Sequence, residues 1–552
     1  MPDADTTATT VAATTATAQP KPRGIRQTMS ELHTWTGLLL GWVLYAMFLT
    51  GTVSYFKDEL SQWARPEVAH RAEVPDPAVA AQRVADELAR IASGSPQWSL
   101  RMPDARNPTV AAFWRTKPSE PGARRSFAEG SFDPDTGARV AARDTLGGEF
   151  FYRFHFQFHY LPVLWGRWLA GVAAMFMLVA IVSGVITHKK IFIDFFTFRW
   201  GKGQRSWLDA HNALSVFGLP FHLMITYTGL VTLMAMYMPW GEQAAFRTPA
   251  ERQQMTRELS AFIQPGKPSG TAAPLAPVDA MVRQAQARWG ADDVGRVTVT
   301  QAGDAAARVA IARGDPGRVS VSPQYLLFDG VTGRLLETHD RVGPAAETRG
   351  VMVALHMGRF GDLSLRWLYF VVGLAGTAMV GTGLVMWTVK RRAKLARPDR
   401  VHVGFWLVER LNVAAVAGLS IAMTAFLWAN RLLPVELAGR ADGEIRVFFL
   451  AWGACLLHAA LRPVKRAWIE QLWIAAAALA LLPVLDAAVA SRPLWRSIAE
   501  GDGVFAGIDL ALWALAGLHA MLALRTMRHR PVVAAGRRAR ASAPARSEGG
   551  LA

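Results

Sequence analysis

Apolar runs long enough to cross a lipid bilayer recur along this sequence, and they limit its possible folds more than any other feature. A membrane-spanning helix needs about 20 apolar residues, and of the 552 residues here 51% are hydrophobic. Because a bilayer offers no water to backbone polar groups, such runs must form helices. We place them at 35–56, 166–187, 208–238, 366–388, 411–430, 447–461, 468–490 and 504–524. The sequence therefore predicts a polytopic α-helical membrane protein.

The net charge of +17 is concentrated in alternate loops between these spans. Basic residues next to membrane spans mark the cytoplasmic side, so we expect both termini in the cytoplasm and the protein in a bacterial inner membrane. The long loops at 57–165 and 239–365 are then expected to face the periplasm. The positive charge follows the membrane topology, which favours the lipid bilayer as its partner and argues against nucleic acid.

The ends of the chain and its cysteine content exclude several structures. Residues 1–24 are rich in Ala and Thr, residues 531–552 are basic, and both segments are expected to be disordered. The first span follows no cleavable signal and is expected to act as its own insertion signal.

Cys455 is the single cysteine, so disulfides, covalent c-type haem and cysteine-ligated clusters are excluded within one chain. We find no glycine-rich motif of a nucleotide-binding domain.

The first two thirds of the chain contain an internal duplication. Thr50 follows His33 by seventeen residues, and Thr228 follows His211 by the same interval. A turn segment with the sequence FDPDTG in the first long loop recurs as FDGVTG in the second. A duplicated sequence predicts two structurally equivalent halves.

Each long loop is expected to hold a small α+β module. Residues 77–92 and 276–289 have the hydrophobic period of a helix, and the segments TVAAFWRT, RVTVTQ and ARVAIARG alternate like strands. The predicted unit is a membrane helix, a soluble module and a second membrane helix. It occurs at 25–206 and again at 207–392, and a C-terminal region of four membrane helices follows at 393–530.

Four histidines in duplicated positions form the candidate site. An imidazole in an apolar segment is costly unless it has a partner, so intramembrane histidines are functional candidates. The topology places His33 and His211 at the cytoplasmic ends of the first and third spans, and His159 and His356 at the outer ends of the second and fourth. Two histidines on facing helices can provide both axial ligands of a b-type haem. We therefore expect two haem b groups with iron held by these pairs. Seventeen residues of helix from His33 to Thr50 span about 26 Å, so the two sites are expected to be separated by most of the membrane.

Three further histidines are weaker ligand candidates. His155 precedes His159 by one helical turn and is its alternative. His222 follows His211 by about three turns, where it could bind the outer haem, contact a propionate or carry a proton. His188 could be a cytoplasmic ligand or a propionate contact. Arginines near the outer histidines could hold propionates or an anionic substrate by charge-assisted hydrogen bonds: Arg153, Arg167, Arg359 and Arg366.

These motifs resemble the PepSY-associated transmembrane family. The similar segments are LHxWxGL at His33, a histidine ahead of GRWLAG, DxHxxL at His211 and LHMGRFGD before the fourth span. The resemblance covers about residues 25–392, and the soluble modules resemble PepSY domains. Closest in character are the inner-membrane reductases of ferric siderophores, whose four-helix core carries haem. The resemblance implies a haem-b oxidoreductase that reduces a periplasmic ferric siderophore for iron release. Because no nucleotide-binding motif is evident, electrons that enter from the cytoplasm would have to come from a separate reductase, a diffusible flavin or a quinol.

Two other functional classes stay open at this point. One is a non-enzymatic PepSY-type binding or regulatory membrane protein, whose modules would restrain a protease or sense a ligand. The other is a transporter, since the four C-terminal spans could form a path. A transporter is expected to carry charged residues in mid-span, and apart from Asp486 the C-terminal runs show few. Haem content distinguishes the oxidoreductase from both alternatives.

Overall fold

A computed structural model describes residues 24–529 except 72, 117–126, 189, 200, 261–265, 292, 396–400 and 491. The segments expected to be disordered, 1–24 and 531–552, lie outside the described residues apart from Gly24. The first half consists of α1 Ile25–Leu39, α2 Gly41–Ser54, α3 Lys57–Trp63, α4 Pro77–Ile91, β1 Gln97–Arg101, β2 Val110–Arg115, β3 Phe127–Phe132, α5 Gly148–Gln157, α6 Val163–Thr187 and α7 Ile191–Phe195.

The second half repeats this order with additional short helices. It consists of α8 Gln204–Phe217, α9 Leu219–Thr232, α10 Met234–Tyr237, α11 Pro239–Ala245, α12 Pro249–Leu259, α13 Val278–Trp289, β4 Val294–Thr300, β5 Arg308–Arg313, β6 Tyr325–Asp329, β7 Leu335–His339, α14 Pro344–Met357 and α15 Leu363–Arg392. The C-terminal region consists of α16 Val403–Val413, a π-helical turn at Ala414–Gly418, α17 Leu419–Leu432, α18 Arg440–Leu461, α19 Val464–Val489, α20 Leu494–Ala499 and α21 Gly503–Arg528.

The described part of the chain has six helices that are long and apolar enough to cross a membrane, or up to eight if each of two bent helix pairs forms one span. The prediction of a multi-pass helical membrane protein is confirmed. The bent pairs are α1 with α2, at 66°, and α8 with α9, at 68°. The expectation of straight helix from His33 to Thr50 is therefore wrong. At the second bend Pro220 lies in the first turn of α9, where its missing N–H and fixed φ favour a new helix start.

The two halves pack against each other in equivalent pairs of helices. Helix α1 lies along α6, as α8 lies along α15, and α2 packs on α5, as α9 packs on α14. Helices α2 and α15 also pack together, as do α9 and α6. We call the side near the long loops the outer side and the opposite side the inner side. The duplication thus produces a core in which each half contributes a bent helix pair and a straight span.

The two long loops build one continuous sheet and not two separate modules. Its seven strands have the order β3-β2-β1-β4-β5-β6-β7, and the halves join where β1 pairs with β4 in antiparallel register, Leu100 opposite Val297. Helices α4 and α13 pack together and share one apolar core with the sheet. The repeated turn segments have the same local structure, since Asp133 and Asp329 each accept hydrogen bonds from the second and third following backbone N–H groups.

The C-terminal bundle is attached to the first half through buried charged groups. Arg431 of α17 forms an ion pair with Asp486 of α19, and neither side chain is exposed. The Arg431 guanidinium also donates to the Trp63 carbonyl at 2.8 Å and lies 3.7 Å from the centre of the Trp63 ring. Trp63 in turn donates to Asp509 at 3.3 Å. This cluster fixes α3 against α17, α19 and α21.

Replacing Arg431 with methionine is expected to destabilise the protein strongly, because it leaves the Asp486 carboxylate buried without its partner. Breaking a buried ion pair on one side costs about 3–5 kcal/mol. The apparent Tm of the detergent-solubilised protein, followed by tryptophan fluorescence, measures this loss. The double variant Arg431→Met/Asp486→Leu is expected to recover most of it, and the exposed pair partner Arg462→Met serves as a control with little effect. An unchanged Tm in Arg431→Met would contradict a stabilising role for the cluster.

Candidate functional site

Two histidines from equivalent helices face each other on the inner side. The rings of His33 on α1 and His211 on α8 have centres 6.1 Å apart and planes inclined by 69°. Nδ1 of His33 lies 2.8 Å from the Ala180 carbonyl oxygen, and Nδ1 of His211 lies 2.9 Å from that of Met379. A carbonyl oxygen only accepts hydrogen bonds, so Nδ1 carries the proton and donates. Nε2 of each neutral ring is left with its lone pair.

A second pair has the same arrangement on the outer side. The rings of His155 on α5 and His356 on α14 have centres 6.2 Å apart and planes inclined by 34°. Nδ1 of His155 donates to the Met47 carbonyl at 2.7 Å, and Nδ1 of His356 donates to the Ile225 carbonyl at 3.0 Å. The two pairs therefore present the same chemistry at two levels of the core.

Each of the four histidine rings lies against a glycine. This glycine follows, by one helical turn along the chain, the residue whose carbonyl the ring contacts. A Cβ added to Gly51 or Gly229 would lie 2.7 or 2.8 Å from Cε1 of the outer histidine, and one added to Gly184 or Gly383 would lie 3.1 or 3.3 Å from Cε1 of the inner one. Contacts below about 3 Å require a shift of the ring. The sequence repeat already contained Gly51 and Gly229 after the two threonines, but nothing in it indicated that they support a ring.

His159 does not face His356, which corrects the pairing expected from the sequence. Helix α5 ends at Gln157, and Phe158 has a left-handed backbone with φ of 47°. His159 therefore lies beyond the helix, with its ring centre 6.0 Å from Phe150 and 6.1 Å from Phe449. Its alternative, His155, is still within α5 and points to the core between α2 and α14.

The two weaker candidates are not members of either ring pair. His222 is almost fully buried, with its ring 6.0 Å from that of Phe48 and its Nε2 3.4 Å from the Val372 carbonyl oxygen. His188 follows the end of α6, and its Nε2 lies 3.3 Å from Nδ2 of Asn212. Neither ring faces the imidazoles of a pair in the way that the pair members face each other.

A cavity of about 340 Å³ opens beside the outer pair and has a cationic wall. Both His155 and His356 line it. The basic residues on its wall are Lys57, Arg106, Arg349, Arg359 and Arg366. Two of the four arginines proposed from the sequence, Arg359 and Arg366, thus belong to the site. Arg153 instead pairs with Glu149 at 3.1 Å, and Arg167 lies over the Phe156 ring.

Carboxylates neutralise part of this wall. Glu59 accepts from Arg106 at 2.7 Å and from Arg366. Burial would raise the pKa of Glu59, but the hydrogen bonds and charges of these two arginines outweigh it and hold the pKa below its usual value. Lys57 pairs with Asp58 at 3.0 Å. Among the described residues no carboxylate lies within ion-pair distance of Arg349, so the cavity keeps a net positive wall.

Each histidine pair is suited to a metal ion whose other ligands come from a cofactor. Two imidazoles that bind one ion from opposite sides with bonds of about 2.0 Å place their nitrogens roughly 4 Å apart and their ring centres roughly 6 Å apart. The observed separations are 6.1 and 6.2 Å. In the described part of the chain no group of three or more His, Cys, Asp or Glu could hold a metal ion. The pairs thus suit a macrocyclic iron that needs two axial ligands.

The sequence profile of the PepSY-associated TM region matches residues 30–390. The chain belongs to this family. All four paired histidines of this PepSY-associated TM protein lie inside the matched region, whereas the C-terminal helices α16–α21 lie outside it. No curated protein matches the chain at a significant level.

Proposed function

We propose that this PepSY-associated TM protein is a haem-b membrane oxidoreductase. It would move electrons across the bacterial inner membrane to an acceptor of the ferric-siderophore class, with both termini in the cytoplasm. One observation carries the proposal. Four imidazoles form two facing pairs, and in each of the four Nδ1 donates a hydrogen bond to a backbone carbonyl. A histidine that binds a metal almost always donates its other ring N–H to a carbonyl or carboxylate.

The residues that would hold the cofactors follow from this setting. His33 and His211 would ligate one haem b, and His155 and His356 the other. The bond from each Nδ1 to a backbone carbonyl fixes the ring orientation and raises the basicity of Nε2. The supporting glycines let the ring approach the facing helix. When bound, each haem supplies reversible one-electron transfer.

The cationic cavity supports the outer side as the place where an anionic acceptor binds. Arg349 and Arg359 would hold carboxylates by charge-assisted hydrogen bonds, whether these belong to a haem propionate or to a siderophore. Arg359 pairs with Asp315 at a distance of 3.6 Å. At this distance the guanidinium can still donate hydrogen bonds to a second anion. Reduction of bound Fe(III) to Fe(II) weakens its hold by hard oxygen chelators, which releases the iron.

An absorption spectrum of the detergent-purified protein, oxidised and after dithionite, tests the proposal together with a pyridine haemochrome count. We expect two b haems per chain, and one in His33→Ala or His211→Ala. Each variant must elute from a size-exclusion column at the volume of the wild type, so that a loss of haem can be distinguished from unfolding. A colourless protein from haem-replete cells contradicts the proposal and favours a binding or transport function.

Replacing His222 with leucine is expected to leave two haems per chain, because its ring packs on Phe48 and faces neither histidine pair. The measurement is the same haem count, with His211→Ala on the neighbouring helix as the positive control. A fall to one haem in His222→Leu, with an unchanged elution volume, would show that His222 is a ligand and that the pairing is wrong.

A further inference from the structure

A second cavity lies on the inner side, where α1, the end of α15 and the start of α16 meet. Its volume is about 430 Å³. We call it the inner cleft. Three aromatic and three basic side chains line it, with Leu395 and Gly404 between them: Trp35, Trp387, Phe405, Arg391, Lys394 and His402.

The inner cleft is formed in part by α1 and α15, the helices that carry His33 and Gly383 of the inner site. Trp35 follows His33 by two residues on α1. Trp387 follows Gly383 by one helical turn on α15, and Gly383 is the glycine against which the His211 ring lies. A molecule in the cleft would therefore contact side chains that lie within one helical turn, along the sequence, of His33 and Gly383.

The aromatic side of the cleft is suited to a planar ring. The rings of Trp387 and Phe405 are stacked with centres 6.1 Å apart and planes inclined by 21°, and Trp35 is 54% exposed. Large exposed aromatic surface in a cavity commonly binds a ligand. Flat ring systems gain from stacking on such side chains.

Arg391 and Lys394 form the basic side of the cleft together with His402. Arg391 lies 3.7 Å from the Trp387 ring centre, and no carboxylate of the described residues is within ion-pair distance of Arg391 or Lys394. The next residue, Arg392, is by contrast held by Glu409 at 2.6 Å. Nδ1 of His402 accepts from the Gly404 N–H at 3.1 Å, so its Nε2 carries a proton and is a further donor. These groups favour an anion such as a phosphate.

We propose that the inner cleft is where electrons enter the protein and that it binds reduced flavin mononucleotide. The flavin ring would stack on the exposed Trp35, and the phosphate would contact Arg391 and Lys394. This inference rests on the proposed function. A quinol has no anion to match the basic side, and a nicotinamide gives up a hydride, whereas a flavin can release its electrons singly. One-electron carriers require a donor of that kind.

The overall reaction balances with the acceptor already proposed. One flavin hydroquinone releases two electrons and two protons and becomes oxidised flavin. The two electrons reduce two ferric ions on the outer side to ferrous ions, and the protons remain on the inner side. No covalent bond forms between flavin and protein.

Titration of the full-length oxidised protein with flavin mononucleotide tests the cleft through quenching of flavin fluorescence. We expect saturable binding, weakened about tenfold in Arg391→Gln and restored towards wild type in Arg391→Lys, because the charge makes the contact. The matched control Lys390→Gln removes the adjacent exposed cation, which does not line the cleft, and is expected to change the Kd less than about twofold. Riboflavin, which lacks the phosphate, is expected to bind about tenfold more weakly.

Equal affinity for riboflavin and flavin mononucleotide, or a Kd unaffected by Arg391→Gln, overturns the proposal. Displacement of flavin by a short-chain quinol from a site insensitive to Arg391→Gln also overturns it. A protein that carries two haems but does not bind flavin refutes the cleft and leaves the proposed function standing. A haem-free protein that binds flavin refutes the proposed function and with it the electron-input role.

Discussion

Replacing His155 with alanine is expected to remove one of two haems, whereas replacing His159 is expected to leave both in place. The physical reason is the end of α5, which leaves His155 opposite His356 and turns His159 towards Phe150 and Phe449. We expect this loss because the outer site would keep only one of its two proposed imidazole ligands. The two residues lie one helical turn apart in sequence, so each variant is the matched control of the other.

The haemochrome count of the two purified variants measures this difference, and the reduced spectrum identifies the remaining haem. In His155→Ala the ratio of haem to protein should fall to half that of the wild type. The result that contradicts the outer site is the reverse, with two haems in His155→Ala and one in His159→Ala. His356→Ala is expected to behave like His155→Ala, since both residues would ligate the same iron under the proposed function.

Placing valine at Gly229 is expected to abolish the outer haem without changing any ligand. A Cβ there would lie 2.8 Å from Cε1 of His356, so the ring must move away from the Ile225 carbonyl that orients it. A displaced ring loses both its hydrogen bond and its alignment with the iron. The smaller change Gly229→Ala is expected to keep the haem and shift its midpoint potential.

Haem content and a redox titration of the reduced band measure these effects. Gly453→Val is the matched control, because Gly453 lies in the membrane helix α18 and an added Cβ meets nothing within 4 Å. Unchanged haem content and potential in both Gly229 variants would contradict the role assigned to the glycine. Loss of haem in Gly453→Val would mean that the assay reports general damage.

The fold could be predicted from sequence as far as hydrophobic length determines it. The apolar runs located the membrane helices because helices are the structures that satisfy the backbone in lipid. The sequence did not predict the bends at Leu40 and Gly218. The runs stay apolar across both residues, and hydropathy carries no information on the direction of a helix axis. The pairing of β1 with β4 was missed for a related reason. Alternation shows that a strand has a buried face, and it does not identify the neighbouring strand.

The sequence indicated part of the candidate site where the duplication was unambiguous. His33 and His211 begin the two copies of one segment, and the structure brings them together. On the outer side the sequence favoured His159 and kept His155, one helical turn earlier, as its alternative. The decision depends on the left-handed residue Phe158, and a positive φ at a phenylalanine has no sequence signal. The cationic cavity was predicted in part, through Arg359 and Arg366.

The pairing of equivalent elements from the two halves indicates how the protein could have arisen. His33 meets its own counterpart His211, and β1 meets its own counterpart β4. Self-complementary contacts of this kind belong to the two-fold axis of an isologous dimer. An ancestor with one unit would have supplied a single imidazole to each pair, so neither half alone could have formed a pair. Fusion of two such units would make the assembly permanent, with the histidine pairs on its axis of symmetry.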